Sequence, residues 1–220
     1  AAVWKTLLET VGGKEKEVSA AALDAVRRLC GVVGETPLDL TRLSKAVEWA
    51  AGAKNHAALQ ALLLVPKEKA DALKNEDRVR FAGMLLYLAR SHRRRGEQKE
   101  AQDVYRRALS ELKGELKGRV LMEMAEVLAD MGRFAESLER YREAHVLLPE
   151  RRAEIWERRL DVIERVEKEK KDPKAARQFV ESAVEQARKE PPPTEDAKKR
   201  LAAMAARRFF ASSVGGGAFR

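Results

Sequence analysis

A single cysteine, Cys30, occurs among the 220 residues. One thiol excludes an internal disulfide framework and a zinc site built from several thiolates. Aromatic residues make up only 5% of the chain, and long stretches consist of Ala, Leu, Glu, Lys and Arg. This composition favours helices and leaves little β-branched or aromatic material for a sheet. The sequence therefore predicts an all-α protein.

Long apolar runs are also missing, since no run approaches the roughly 18 residues that a membrane-spanning helix requires. The 13 glycines and 7 prolines are too few for a collagen-like or low-complexity chain. The chain is instead rich in charge, with 44 Lys and Arg against 35 Asp and Glu, a net charge of +9. A hydrophobic fraction of 45% is enough for one or two ordinary cores.

The chain begins at Ala1, and no cleavable signal pattern follows. This start is consistent with a basic mature chain that has lost a mitochondrial presequence. It is equally consistent with a chain that has been trimmed. We therefore expect an intracellular protein of the mitochondrial matrix or the cytoplasm, with neither compartment favoured.

Helix start and stop signals recur in residues 1–75, which we interpret as degenerate helix pairs. A short helix over 3–11 is predicted to end at Gly12-Gly13, and a second over 18–33 is predicted to end at Gly34. Thr36-Pro37 and Asn55 are predicted to begin the next two helices.

A repeat with an offset of 36 residues begins after residue 75, because residues 82–115 align with residues 118–151. Small residues are predicted to let two helices approach closely, a glycine to make the turn between them, and a tyrosine to fill the gap toward the next helix. The matched pairs are Leu85 with Leu121, Ala89 with Ala125, Gly96 with Gly132, Glu100 with Glu136, Tyr105 with Tyr141, Arg106 with Arg142, Ala108 with Ala144, and Leu112 with Leu148.

This pattern resembles the tetratricopeptide repeat, whose order of residues the second copy follows with Leu121, Met124, Ala125, Gly132, Tyr141, Ala144 and Pro149. Ser137 stands where the family has Ala, and the first copy keeps Ala101 there. A third, degenerate copy over 152–188 lacks the turn glycine. The resemblance implies an antiparallel helix-hairpin solenoid with a right-handed superhelix that binds protein segments.

The predicted organisation has three parts. Residues 1–75 form the N-terminal helical region, and residues 76–190 carry the tetratricopeptide-like repeats. Residues 191–220 form a C-terminal helix, with Thr194 as its N-cap, and a basic, Gly-rich extended tail. A single continuous solenoid is an alternative to the division at residue 75.

We find no catalytic, metal or cofactor motif in the sequence. None of the three histidines has a partner at a metal-ligand spacing such as HExxH. His56 is expected at the surface, His92 packed within a repeat hairpin, and His145 near a helix end. Cys30 is expected to be a buried, inert thiol. The sequence thus predicts a protein that is not an enzyme and needs no cofactor.

Two basic elements are the predicted partner-binding surfaces. Arg90, Arg93 and Arg94 should face the inner surface of the repeats, together with Leu86 and Met122, where guanidinium groups suit an acidic segment of another protein. The alternative is that these arginines only pair with neighbouring acids. The second element lies near the C-terminus and comprises Lys198, Lys199, Arg200, Arg207, Arg208, Phe209 and Phe210.

The predicted function is that of a non-catalytic adaptor or scaffold subunit within a larger multiprotein complex. The alternative is an RNA-binding helical-repeat protein of an organellar ribonucleoprotein, similar to the pentatricopeptide family. Small Ala108 and Ala144 and apolar Leu86 and Met122 argue against that family, because it places larger and base-reading polar side chains there.

Overall fold

The computed structural model describes residues 20–169, 181–182, 184–185, 189 and 194–214, without the side chains of 167, 169, 205 and 207–214. All regular structure in these residues is helical. The helices are α1 (Ala20–Leu29), α2 (Leu40–Gly52), α3 (His56–Leu63), α4 (Lys67–Asp71), α5 (Asn75–Arg94), α6 (Gln98–Leu109), α7 (Gly114–Asp130), α8 (Phe134–Leu147), a 3-10 turn (Pro149–Arg151), α9 (Arg152–Glu169) and α10 (Glu195–Val214).

Some predicted features lie outside the described residues. They are the helix over 3–11, most of the second half of the degenerate third copy, and the tail from Gly215. None of the described helices combines the length and the apolar character that crossing a bilayer would need.

The chain divides by compactness into two units, Ala1–Lys113 and Gly114–Arg220. In the first unit α2, α3 and α5 pack on one another, and α6 packs against α5. The predicted boundary at residue 75 falls at the start of α5, inside this unit. In the second unit α7 pairs with α8, α9 packs on α8, and α10 packs on α9.

Two helix ends in the first unit differ from the prediction. Helix α1 ends at Leu29, before the predicted end at Val33, and Gly31 follows with a φ of +69°. Helix α2 begins at Leu40, and its N-cap is Asp39, whose carboxylate accepts a hydrogen bond from the Arg42 amide at 3.0 Å. The predicted cap at Thr36 is therefore wrong, because the aspartate three residues later satisfies the free amides of the first turn.

The two repeats end their first helix with the same set of backbone hydrogen bonds. In the first, Glu97 N–H donates to the His92 carbonyl at 3.0 Å, and Gly96 N–H donates to that of Arg93 at 3.0 Å. The equivalent bonds of the second repeat, 36 residues on, are 2.9 and 3.0 Å long. Gly96 and Gly132 have φ values of +77° and +73°, so each repeat closes with a Schellman motif that glycine favours.

Side chains at matched positions are buried in the hairpin cores, as the repeat predicted. Ala89 and Ala125 are completely buried, and Tyr105 and Tyr141 are 0% and 1% exposed. Ser137, which replaces the small apolar residue of the first copy, is also fully buried, and its hydroxyl donates to the Ala125 carbonyl at 2.7 Å. This bond satisfies the polar group that the substitution places between α7 and α8.

Gly114 and Gly118 stand between the two copies of the repeat, where their sequence predicts a connection, but both lie inside α7. A Cβ atom at Gly118 would lie 2.6 Å from Leu148 Cγ and 3.0 Å from Leu147 Cβ. Helix α7 therefore approaches the end of α8 too closely for any larger residue. The glycine serves packing here and does not make a turn.

Candidate functional site

An open cleft between α2 and α5 contains two of the predicted arginines. Its volume is about 390 Å³, and its lining is Glu48, Ala51, Gly52, Tyr87, Arg90 and Arg94. Tyr87, Arg90 and Arg94 share one side of α5 because residues three and four positions apart lie on the same face of a helix. The arginines stand in the last turns of α5, where the helix dipole favours cations.

The arginines of the cluster differ in their surroundings. Arg90 and Arg94 are exposed, whereas Arg93 is half-buried. Within the described residues the side chain of Arg94 forms no hydrogen bond or ion pair, while Arg90 and Arg93 do interact with other residues. The structure thus brings Arg90 and Arg94 into one cleft and leaves Arg93 out of its lining.

Leu86 and Met122 are interior residues, with 4% and 5% of their surfaces exposed. Leu86 lies in α5, which packs against α2, α3 and α6. Met122 is buried in α7 of the second unit. Neither side chain offers an exposed surface to a partner, which corrects the proposed contact role of both residues.

The C-terminal basic element divides into residues with internal contacts and residues outside the described part. Arg200 in α10 donates to Glu157, Asp161 and Glu164 of α9, with distances of 2.8 Å to Asp161 and 3.0 Å to Glu164. The carboxylates, Asp161 foremost, raise the pKa of the Arg200 guanidinium above its ordinary value. Their ion pairs with Arg200 join α10 to α9. The helix range also contains Arg207, Arg208, Phe209 and Phe210, whose side chains lie outside the described residues.

A second cluster, which we call the His–Glu cluster, comprises His56, His92 and Glu97. His92 Nδ1 donates to Glu97 Oε2 at 2.7 Å, and His56 Nε2 lies 3.6 Å from the same oxygen. The two imidazole rings meet edge to face with their centroids 4.5 Å apart. One ligand atom from each of the three residues lies within 4.8 Å of the other two.

Helix packing in the first unit creates this cluster. His56 is the first residue of α3, His92 lies in the last turn of α5, and Glu97 immediately precedes α6. His92 is buried within the hairpin, as predicted. The surface position predicted for His56 is wrong, because α3 packs on α5 and leaves only 14% of its side chain exposed.

Sequence reasoning missed the cluster because its members lie 36 and 41 positions from His56 along the chain. The spacing of His92 and Glu97, five residues across a turn, matches no metal motif. One signal was available in the repeat, because His92 stands where the second copy has buried Leu128.

Neighbouring groups shift the pKa values within the cluster. Burial, followed by the nearby His92 and Arg95, lowers the pKa of His56, while Glu97 opposes this shift. Hydrogen bonds from Arg95 and His92 lower the pKa of Glu97. The cluster at neutral pH thus combines an uncharged His56 imidazole with an ionised carboxylate.

Ser91 completes a serine–histidine–carboxylate order, since its Oγ lies 3.0 Å from His56 Nδ1. Hydrolases use this order to activate a serine nucleophile. Ser91 is only 5% exposed in the interior of α5. Neither the cleft between α2 and α5 nor the one lined by Phe81 and Arg107 includes Ser91 in its lining. Ser91 therefore belongs to the buried residues of α5.

Cys30 is completely buried, as predicted. Burial and the nearby Asp39 raise the pKa of its thiol to about 12, although Arg42 acts in the opposite direction. A thiol with this pKa is almost entirely protonated at neutral pH, so it is a poor nucleophile and a poor metal ligand.

In the comparisons with known proteins, similarity was found to solved structures. No protein-family model and no curated protein matches the chain. Among solved structures, the chain is similar to a MamA protein, with a TM-score of 0.37 and 16% identity over 86% of this chain and 94% of that chain. The helix hairpins and their 36-residue repeat, and not this similarity, carry the description of the fold.

Proposed function

We propose that this chain is a non-catalytic protein-interaction subunit built from tetratricopeptide-like helix hairpins. It acts as an adaptor or scaffold in a larger assembly by holding a carboxylate-bearing segment of a protein partner in the cleft between α2 and α5. The observation that carries the proposal is the meeting of Arg90, Arg94 and Tyr87 along one wall of that cleft.

The side chains of the cleft suit an extended, acidic peptide segment. Guanidinium groups bind carboxylates through two parallel hydrogen bonds. Tyr87 contributes an aromatic surface with a polar tip, a combination enriched where proteins bind one another. Glu48 on the opposite helix adds a negative charge, which favours one orientation of a segment that carries both acidic and basic residues.

The repeat supports the same class of function. The two hairpins share their capping hydrogen bonds, their buried alanines and their buried tyrosines. These features resemble the tetratricopeptide family, and that resemblance implies peptide binding along the repeats. A solenoid with a right-handed superhelix is the architecture that this resemblance adds to the proposal.

The test is affinity purification of the tagged chain from its native source, with and without nuclease, followed by mass spectrometry. We expect stoichiometric protein partners that survive nuclease and are lost from the Arg90→Glu/Arg94→Glu variant. The matched control is Arg80→Glu/Arg106→Glu, which makes the same charge change at two exposed arginines that the cleft does not include. The partners' identities would also distinguish the mitochondrial matrix from the cytoplasm.

Equal loss of partners in both variants would show that only net charge matters, and it would contradict a role for the cleft. Loss of all partners upon nuclease treatment would replace the proposal with RNA binding, the alternative that the basic composition allows.

A further inference from the structure

The His–Glu cluster has a polar arrangement that the repeat itself does not require. At the matched positions of the second hairpin, Leu128 replaces His92 and Val127 replaces Ser91, and both are completely buried. Arg133 replaces Glu97 and forms an ion pair with Glu136 at 2.6 Å. Both hairpins close with the same backbone hydrogen bonds, so folding of the hairpin does not need the histidine and the carboxylate.

His56 can present a lone pair toward Glu97. Nδ1 of His56 lies 3.0 Å from Ser91 Oγ, whereas Nε2 lies 3.6 Å from Glu97 Oε2, beyond a normal hydrogen bond. In the tautomer with its proton on Nδ1, that nitrogen donates to Ser91 Oγ. The Nε2 lone pair of this tautomer faces Glu97 Oε2, and a cation between the two atoms would bind both.

We propose that His56, His92 and Glu97 bind a divalent transition-metal ion such as Zn²⁺. Two imidazole nitrogens and one carboxylate form a ligand set that zinc commonly takes, with a water molecule as the fourth ligand. Zinc–ligand bonds of roughly 2.0–2.1 Å place tetrahedral ligands about 3.3 Å apart. The 3.6 Å between His56 Nε2 and Glu97 Oε2 is close to that spacing.

The other hydrogen bonds of the cluster orient the proposed metal ligands. The hydrogen bond between Ser91 Oγ and His56 Nδ1 orients the His56 ring, as hydrogen bonds from outside the ligand set orient metal-bound histidines. Arg95 Nε donates to Glu97 Oε1 at 2.7 Å and leaves Oε2 directed at the two histidines. The hydrogen bond from His92 Nδ1 to Oε2 is the contact that the metal replaces: the single proton of the neutral imidazole then sits on Nε2, and the Nδ1 lone pair binds the ion.

Arg95 also provides an opposing effect that can be measured. Its positive charge lies next to the proposed cation, and its side chain is 54% exposed. Removal of this charge should strengthen metal binding, whereas a purely structural hydrogen-bond cluster predicts no such gain.

The test is isothermal titration of the full, chelator-treated chain with Zn²⁺, together with the visible absorption of the Co²⁺ form. We expect one Zn²⁺ per chain with a dissociation constant in the micromolar range or below, and Co²⁺ bands typical of tetrahedral coordination. His92→Leu, which installs the residue of the second repeat, should weaken binding at least 100-fold while the helix content stays unchanged. Glu97→Gln should also weaken it, and Arg95→Gln should strengthen it several-fold.

His145→Gln is the control, since this histidine lies in α8 of the second unit. Absence of stoichiometric binding by the wild-type chain would overturn the proposal, and so would equal affinity of the wild-type and His92→Leu proteins. Unchanged affinity of the Glu97→Gln protein would overturn the assignment of Glu97 as a ligand. These results are separate from the proposed function, because none of the ligands lines the cleft between α2 and α5.

Discussion

At the scale of single residues, His56 shows how packing against neighbours changes an ordinary side chain. Burial, His92 and Arg95 all disfavour its protonated form, and only Glu97 favours it. An unperturbed histidine has a pKa near 6.5, so His56 in the folded chain stays neutral to a lower pH than the same residue in the unfolded chain.

The titration of His56, followed by NMR of its imidazole in the presence of chelator, should give a pKa below about 6.5. Glu97→Gln should lower this pKa further, and Arg95→Gln should raise it, because these substitutions remove charges of opposite sign. Shifts in the same direction for both variants would contradict the proposed electrostatics.

The same shift makes the folded chain less stable in mild acid. Between the lowered pKa of folded His56 and about 6.5, the unfolded chain binds more protons, so the free energy of unfolding falls as the pH falls. Glu97 acts in the same direction at lower pH, because its lowered pKa stabilises the folded chain only while the carboxylate is ionised.

The structural roles of some residues could be predicted from the sequence, whereas those of others depend on tertiary contacts. Asn55 and Thr194 were predicted as N-caps, and their side-chain oxygens accept bonds from Ala58 and Ala197 at 2.9 and 3.1 Å. Capping is local, so a few adjacent residues reveal it. The meeting of His56 with Glu97 depends on how α3 packs on α5, which no local pattern encodes.

At the scale of helices, two glycines in regular α-helix have opposite roles. Gly118 lies where α7 touches the end of α8, and an added Cβ would contact Leu148 at 2.6 Å. Gly83 lies inside α5, and an added Cβ would meet nothing within 4 Å. The same substitution should therefore change stability in opposite directions at the two sites.

We expect Gly83→Ala to raise the free energy of unfolding by about 0.5–1 kcal/mol, since alanine restricts the unfolded chain and favours the helix. Gly118→Ala should lower it, because overpacking costs about 1–3 kcal/mol and outweighs the gain in helix propensity. Urea denaturation of both variants measures the difference. A Gly118→Ala protein as stable as Gly83→Ala would show that α7 and α8 separate without cost.

The matched positions of the repeat predicted part of the hairpin cores, since Ala89, Tyr105 and Ala125 are completely buried. Glycine usually marks a turn, so the sequence alone would place Gly118 in a connection between helices. Its actual role depends on the close approach of another helix, which the sequence of α7 alone does not report.

At the scale of the whole molecule, the count of 44 Lys and Arg residues overstates the basic surface that a partner would meet. Many arginines pair with a carboxylate three or four positions away on the same helix. Such pairs join Arg28 to Asp24, Arg106 to Asp103, Arg119 to Glu115, Arg133 to Glu136, Arg140 to Glu143, Arg142 to Glu139 and Arg151 to Glu154. Acidic side chains interspersed among the basic ones in this way weaken the positive electrostatic potential that a nucleic acid would experience.

We expect a mixed-sequence single-stranded RNA to bind with a dissociation constant weaker than about 1 µM at physiological salt, the range of non-specific contacts. Fluorescence anisotropy at several salt concentrations tests this expectation. Nanomolar binding that Arg90→Glu/Arg94→Glu abolishes would assign the cleft to RNA. The Arg80→Glu/Arg106→Glu protein again serves as the control for net charge.

The single thiol of the chain has a practical consequence for experiments on the whole molecule. Cys30 is completely buried, and its pKa is raised to about 12, so maleimides and other thiol reagents should spare it at neutral pH. A cysteine introduced at any exposed position is then the one site that takes up a dye or a spin label. Distances between labelled helices thus become measurable without replacing a natural residue.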